Sequence, residues 1–243
     1  MGETPYKESF DQKPPGVFVA YAAILRWVGT SPAAIHWATQ VYTLGTLAVI
    51  FFLGRRLFSP LVGLLAAMLA AFMTSDAKVL GNSANTEVFM ILPLAGGLLT
   101  ALVAVERESF AWSFVTGMLA TAALLFKQVA VVVALFYLLL IIWTAKRRWR
   151  LGAGMCLGGV ALLVPCVAYF CLAGAWHEFY DCTIRYNLSY VGEYPLYSYP
   201  ARFWSHFRKI SETSWPIYSD RHHCAQHWLR CLVRRLRKKL NLS

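Results

Sequence analysis

The chain has 243 residues, of which 58% are hydrophobic and 14% charged, and its formal net charge is +11. Soluble domains contain about 25% charged residues, so this composition excludes an ordinary soluble domain and indicates an integral membrane protein. The charge is uneven, because residues 220–243 hold seven Lys and Arg against Asp220 alone. The other basic residues flank apolar runs, so nucleic acid is not expected as a partner.

A polar cluster comes first in chain order, in the stretch SFDQKPPGVFVAYA. Pro14 disfavours the helical region for the preceding residue, so Lys13 is predicted to be extended. An ammonium group at the lipid–water boundary suits a phosphate as a point charge, and the alternative is a snorkelling lysine that anchors a helix. Residues 17–28 are apolar but too short to cross a bilayer, and they fit a helix on the membrane surface.

Two further polar residues, Asp11 and Gln12, directly precede Lys13. A carboxylate at this place could orient an acceptor or bind a metal. The alternative is that Asp11 satisfies backbone N–H groups of its own turn, which is the commoner role of an isolated aspartate.

Six apolar runs of nearly bilayer length follow, so the predicted fold is all-α and polytopic, with about six transmembrane helices. The fourth and fifth runs are separated only by Lys127 and Gln128. A continuous helix of about 35 residues would be too long for a bilayer, so we predict a tight turn there. The predicted spans are 37–54, 57–74, 88–105, 111–126, 129–145 and 151–175.

The loops between these spans fall into a strongly basic set and a weakly basic set. The strongly basic set contains seven Lys and Arg, in short loops at 55–56, 106–108 and 146–150. The other set comprises the loop 75–87, the turn at Lys127 and the segment 176–217. Positive loops face the cytoplasm, so the second set is predicted to be extracytoplasmic.

Two ionisable residues stand at the extracytoplasmic ends of predicted spans. Glu87 either complements the dipole of a helix capped by Asn85 or Thr86, or serves as a site carboxylate at the membrane boundary. Lys127 either snorkels outward from a tight turn or acts as a functional cation. The segment 176–217 is rich in Tyr and Trp, which suit a membrane interface and, secondarily, sugar stacking.

The cysteines predict neither a disulfide framework nor a zinc site. The six cysteines form no CxxC pair, and three of them lie in one apolar run.

Residues 228–240 have the pattern of a basic amphipathic helix. The acceptor pattern for glycosylation, Asn-Leu-Ser, occurs at 187–189 and 241–243, although so short a pattern is weak evidence. A histidine-rich set without the carboxylate or fourth ligand of a metal site is His222, His223, Cys224 and His227.

The stretch PYKESFDQKPPGVFVAYAAILRWVG resembles the segment after the first helix of GT-C membrane glycosyltransferases. It is most similar to the family of dolichyl-phosphate-mannose–protein mannosyltransferases and bacterial aminoarabinose transferases, glycosyltransferase family 39-like. LGRRLFSP, ANTEVFMILPL and LLFKQVAVVV resemble the next landmarks of that family, in the expected order. The resemblance covers about residues 1–200; K-P-P alone is weak, and the ordered set is fairly specific.

The resemblance implies roles for several of these residues. Lys13 would contact the phosphate of a polyprenyl-phosphate carrier, while Glu87 and Lys127 match an acidic residue and a lysine of the outer loops. Gln12 stands where members often have a metal-binding glutamate, so the cofactor stays undetermined and a divalent metal stays open. The catalytic aspartate of the family would lie upstream of Met1, so no catalytic residue is assigned.

The implied activity is transfer of a glycosyl group from a polyprenyl-phosphate sugar to an acceptor hydroxyl on a glycan, lipid or protein. It would take place on the extracytoplasmic face of the inner or plasma membrane, among membrane lipids. We expect residues 1–217 to be part of a GT-C domain and 218–243 to be a basic tail unlike the family. The chain would then be an incomplete, impaired enzyme. The alternatives are a lipid-linked sugar transporter or flippase, and a non-catalytic membrane scaffold or remnant.

Overall fold

The fold of the described residues is entirely helical. A computed structural model describes residues 4–8, 10–75, 83–192, 199–205 and 207–208. No β-strand occurs in these ranges, which confirms the predicted all-α class. The chain divides into two compact units, Met1–Asn187 and Leu188–Ser243.

The helices of the described residues between 16 and 192 comprise seven longer elements followed by three short ones. The longer helices are α1 (Gly16–Trp27), α2 (Pro32–Leu57), α3 (Pro60–Thr74), α4 (Thr86–Arg107), α5 (Phe110–Phe126), α6 (Ala130–Thr144) and α7 (Arg148–Leu172). The short elements are α8 (Trp176–Tyr180), a π turn (Asp181–Arg185) and α9 (Tyr186–Gly192).

The six predicted spans correspond to α2 through α7, and the predicted tight turn falls between α5 and α6. By length and composition, α2, α4 and α7 are able to cross a membrane. The apolar helices α3, α5 and α6 have 15 to 17 residues. At 1.5 Å per residue they rise about 22 to 26 Å, less than the roughly 30 Å of a hydrocarbon core. The chain is a polytopic membrane protein whose apolar helices are of two lengths.

Side-chain caps set the starts of three of these helices. Ser31 and Ser59 each precede a proline, and each hydroxyl accepts the backbone N–H three residues on, at 3.1 and 3.2 Å. Asn85 does the same for α4, at 2.9 Å. Proline has no N–H, so in the first turn it leaves no backbone donor unpaired. The capping serine and the following proline together start α2 and α3 at defined residues. For this reason α2 begins at Pro32, ahead of the predicted boundary.

The three strongly basic loops come together at one end of the bundle. Arg56 at the end of α2 forms an ion pair with Glu106 at the end of α4. Glu108 accepts the backbone N–H groups of Lys146 and Arg147, at 2.7 and 2.9 Å. The loops predicted to share a side of the membrane are therefore in direct contact.

Small residues carry the contact between α5 and α7 at the centre of the bundle. Gly158 on α7 is so close to α5 that a Cβ atom there would overlap the carbonyl oxygen of Phe114. Nearby, the buried Ser113 hydroxyl donates to the carbonyl of Leu151, at 2.5 Å. Lipid tails are as apolar as side chains, so membrane helices associate through such close packing and hydrogen bonds.

The described part of the second unit is short. Residues 199–205 and 207–208 are helical, and the rings of Trp204 and Phe207 stack with centroids 5.8 Å apart. Residues 209–243 lie outside the described residues, and with them the predicted basic tail, its boundary at 217/218 and the histidine-rich set.

We expect Gly158→Ala to lower the free energy of unfolding by about 1–3 kcal/mol, because an overpacked contact forces the helices apart. Gly152→Ala on the same helix is the matched control, since its Cβ would lie 3.8 Å from Leu138 in ordinary contact. The control should be neutral or stabilising by up to about 1 kcal/mol, from helix propensity. Denaturant unfolding in micelles measures both. Equal stability of the two variants would contradict the close contact.

The Glu108 bridge makes stability depend on acid pH. The backbone N–H groups of Arg147 and Lys146 hold the pKa of the Glu108 carboxyl below its ordinary value of 4.5. Its stabilisation is therefore complete above that value and is lost as the pH falls through the lowered folded-state pKa. Glu108→Gln should remove this component of the acid destabilisation in thermal melts. An unchanged pH dependence in the variant would contradict the bridge.

Candidate functional site

A polar pocket lies at the end of the bundle opposite to the basic loops. It encloses about 480 Å³, which is in the range of about 300–1,000 Å³ found for small-molecule sites. The segment before α1, the start of α4, the α5–α6 turn and Asn187 form its wall. We call it the Lys13 pocket. Of the residues predicted for the site, it is lined by Gln12, Lys13, Glu87 and Lys127.

A close helix contact brings the polar segment to this place. A Cβ atom on Gly16 would lie 2.5 Å from the carbonyl oxygen of Leu125, in the last turn of α5. Only glycine fits there, immediately after the buried Pro14 and Pro15. The start of α1 therefore rests on the end of α5, which places Lys13 and the α5–α6 turn on the same pocket.

The backbone of Lys13 is fixed while its ammonium group remains accessible. The Lys13 N–H donates to Oδ1 of Asp11 at 3.0 Å, and the Lys13 carbonyl accepts the hydroxyl of Tyr6 at 2.6 Å. The Lys13 side chain is 53% exposed, with Nζ 4.0 Å from Oδ2 of Asp11. Asp11 thus makes the local turn contact that was one of its two predicted alternatives, and it does so beside the pocket.

Tyr6 anchors the segment that carries Lys13. It is 4% exposed, and its ring lies 5.5 to 5.6 Å from the rings of Phe18, Phe170 and Phe179. Burial raises the pKa of the Tyr6 hydroxyl well above its ordinary value of 10, so the group stays protonated and remains a donor. Its backbone has a φ of 72°, a left-handed conformation that non-glycine residues rarely adopt. The aromatic cluster and the hydrogen bond to Lys13 hold the residue there.

Glu87 and Lys127 form an ion pair across the pocket wall. The second carboxylate oxygen of Glu87 accepts the hydroxyl of Thr86 at 3.0 Å. Both side chains are about half exposed, so the pair contributes about 0–1 kcal/mol to stability. The two charges of this pair neutralise each other, and the other cation of the lining is Lys13, whose ammonium lies 4.0 Å from Asp11.

Two side-chain amides join the polar segment to the π turn. Nε2 of Gln128 donates to the carbonyls of Gln12 and Thr183, at 3.2 and 3.1 Å. Nδ2 of Asn187 donates to the same two carbonyls, at 3.0 and 3.1 Å. We call this arrangement the amide clamp. Three segments that are distant in sequence meet in it.

The inner side of the pocket is aromatic. The Tyr21 hydroxyl donates to the carbonyl of Ala84 at 2.6 Å, which ties α1 to the start of α4. Phe89 and Phe126 stack with ring centroids 5.8 Å apart. The polar residues at the opening of the pocket therefore pack on aromatic side chains.

The sequence did not predict that Tyr6, Thr183 and Asn187 belong to this region. The sequence indicated Gln128 only as one of the two polar residues that separate two apolar runs. Of the described residues in the segment 176–217, the polar Asn187 lines the pocket, whereas Trp176 packs on Phe179. Tyr194 and Tyr197 lie outside the described residues. Within the described ranges, no three Asp, Glu, His or Cys side chains gather as a metal ion would require.

These observations define a polytopic helical membrane protein with a polar pocket at one end of its bundle. The profile of the dolichyl-phosphate-mannose-protein mannosyltransferase family matches residues 12–171, more than half of the chain. The chain belongs to this family of GT-C-type glycosyltransferases, which confirms the resemblance. The family transfers a glycosyl group from a lipid-linked sugar to an acceptor. No curated protein and no solved structure matches the chain.

We expect Tyr6→Phe to cost about 1 kcal/mol of unfolding free energy, because it removes only the hydrogen bond to Lys13. Tyr6→Ala should cost about 3–5 kcal/mol, because it also empties the aromatic cluster. Tyr169→Phe is the matched control, since Tyr169 is 54% exposed and should change stability by less than about 0.5 kcal/mol. Denaturant unfolding in micelles ranks the three. If Tyr6→Ala were as stable as Tyr169→Phe, Tyr6 would not hold the segment that carries Lys13.

Proposed function

We propose that the Lys13 pocket binds the phosphate of a polyprenyl-phosphate sugar and that the sugar passes to an acceptor hydroxyl. The observation that carries the proposal is the position of Lys13, whose backbone is fixed and whose ammonium lines an open pocket. A phosphate next to this ammonium gains a charge-assisted hydrogen bond. The family match, which includes Lys13, supports a lipid-linked sugar as the donor.

Lys13 is the more exposed of the two lysines that line the pocket. Glu87 and Lys127 neutralise each other, and Asp11 is 4.0 Å from the Lys13 ammonium and directs its other oxygen to the backbone. Lys13 is therefore the cation of the lining that an incoming phosphate meets. Glu87, in this proposal, keeps Lys127 on the pocket wall and does not itself contact the donor.

The proposed reaction breaks the bond between the sugar anomeric carbon and the phosphate oxygen. The acceptor hydroxyl oxygen forms the new bond to that carbon, and its proton passes to a general base. Negative charge grows on the leaving polyprenyl phosphate, where the Lys13 ammonium stabilises it. Donor binding precedes these steps, so it tests the role of Lys13 without requiring turnover.

We place the pocket on the extracytoplasmic face of the inner or plasma membrane. Arg56, Lys146 and Arg147 belong to the basic loops at the opposite end, and positive loops favour the cytoplasm. In the described helices, the charged residues lie in first or last turns, which gives no support to a transport path through the bundle.

We expect Lys13→Ala to weaken binding of polyprenyl phosphate about tenfold to a hundredfold, as loss of a charge-assisted hydrogen bond predicts. Lys13→Arg keeps the charge and should retain most of the affinity. Equilibrium binding of a fluorescent polyprenyl phosphate to the full chain in nanodiscs measures this.

The matched control is Lys146→Ala, which removes an exposed lysine from the opposite end of the bundle. It should leave the affinity unchanged. Equal weakening by Lys13→Ala and Lys146→Ala would mean that net charge alone attracts the probe, and the proposal would fail.

A further inference from the structure

We infer that Gln128 and Asn187 are positioning residues for Lys13, and that the amide clamp aims its ammonium at the donor phosphate. This inference rests on the function proposed above. It concerns residues that contact neither the phosphate nor the sugar in that proposal. They act through the peptide bond that joins Gln12 to Lys13.

Both side-chain amides of the clamp use all of their N–H donors. Each amide nitrogen carries two hydrogens. The Gln128 and Asn187 nitrogens each donate to the Gln12 and Thr183 carbonyls, which makes four bonds. Because both acceptors are backbone carbonyls, the amide nitrogen of each side chain must face them, which fixes the orientation of both amides.

The clamp reaches Lys13 because the peptide unit is planar. The Gln12 carbonyl and the Lys13 N–H belong to one rigid plane. The clamp holds the carbonyl edge, and Asp11 holds the N–H edge at 3.0 Å. Pro14 restricts the next dihedral angle of Lys13, and Tyr6 holds its carbonyl. The direction of the Lys13 side chain from the backbone is therefore fixed, and only its own rotamers remain free.

The other half of the clamp belongs to the π turn. Thr183 lies in the middle of Asp181–Arg185, where the backbone departs from regular α-helical pairing. Such turns often occur at functional sites because they redirect carbonyl groups. The Thr183 carbonyl accepts both amides, so the region after α7 and the Lys13 segment are mechanically linked. A shift of the π turn would move Lys13 with it.

Two neutral variants of similar shape test the inference, Gln128→Met and Asn187→Leu. Both remove the donors without adding charge near the phosphate. We expect each to weaken polyprenyl phosphate binding to the full chain in nanodiscs about five- to tenfold, the coupling typical of one hydrogen-bond network. Binding of the uncharged polyprenol of equal length should not change, because the alcohol makes no use of the ammonium.

A double-mutant cycle with Lys13→Ala shows whether the clamp acts through the lysine. In that background, Gln128→Met should weaken phosphate binding by less than about twofold, since the group it positions is gone. Glu108→Gln is the structural control. It removes the charge of a side chain that accepts two backbone N–H groups, those of Lys146 and Arg147, at the opposite end of the bundle. It should change the melting temperature but not the phosphate affinity.

Each contrary result has a distinct meaning. Equal losses for the phosphate and the alcohol would show that the clamp only supports the fold, and would overturn the inference. A full effect of Gln128→Met in the Lys13→Ala background would overturn it as well. A normal phosphate affinity in Lys13→Ala would instead reject the proposed function on which it rests. Should Gln128→Met fail to fold, Asn187→Leu carries the same comparisons.

Discussion

Close approach of helix backbones is the constraint on which this structure depends. Within a bilayer the lipid tails compete for apolar contacts, so helices gain little from hydrophobic burial and must meet through small residues. Gly158 allows this between α7 and α5, and Gly16 allows it between α1 and α5. The second contact also positions the site, because it brings the residues before α1 to the α5–α6 turn. One packing rule therefore supports both the bundle and the Lys13 pocket.

Two ion pairs in the described part of the first unit join helix ends. Arg56 with Glu106, and Glu87 with Lys127, connect neighbouring elements at opposite ends of the bundle. At each end, a side chain also bridges to the backbone across a turn. These contacts lie where water is available, and the intervening helical turns are apolar, which is the distribution that a bilayer imposes.

The helices and their order could be predicted from the sequence, because apolar runs are local signals. The turn after Phe126 was predicted for the same reason. The pair of Glu87 and Lys127 was not, although both residues were candidates, because 40 positions separate them. The Asn187 side chain donates a hydrogen bond to the Gln12 carbonyl, 175 positions away. No sequence pattern predicts this contact. Local chemistry thus indicated the cations and carboxylates, while the contacts between them depend on the tertiary fold.

The amide clamp also bears on the glycosylation acceptor pattern at 187–189. Oligosaccharide attachment takes place on the side-chain nitrogen of the asparagine and replaces one of its two hydrogens. In Asn187 that nitrogen donates to the carbonyls of Gln12 and Thr183, at 3.0 and 3.1 Å. A glycan at this atom would take away a clamp bond and insert a bulky group between the polar segment and the π turn. Glycosylation of Asn187 and the complete four-bond clamp are therefore mutually exclusive.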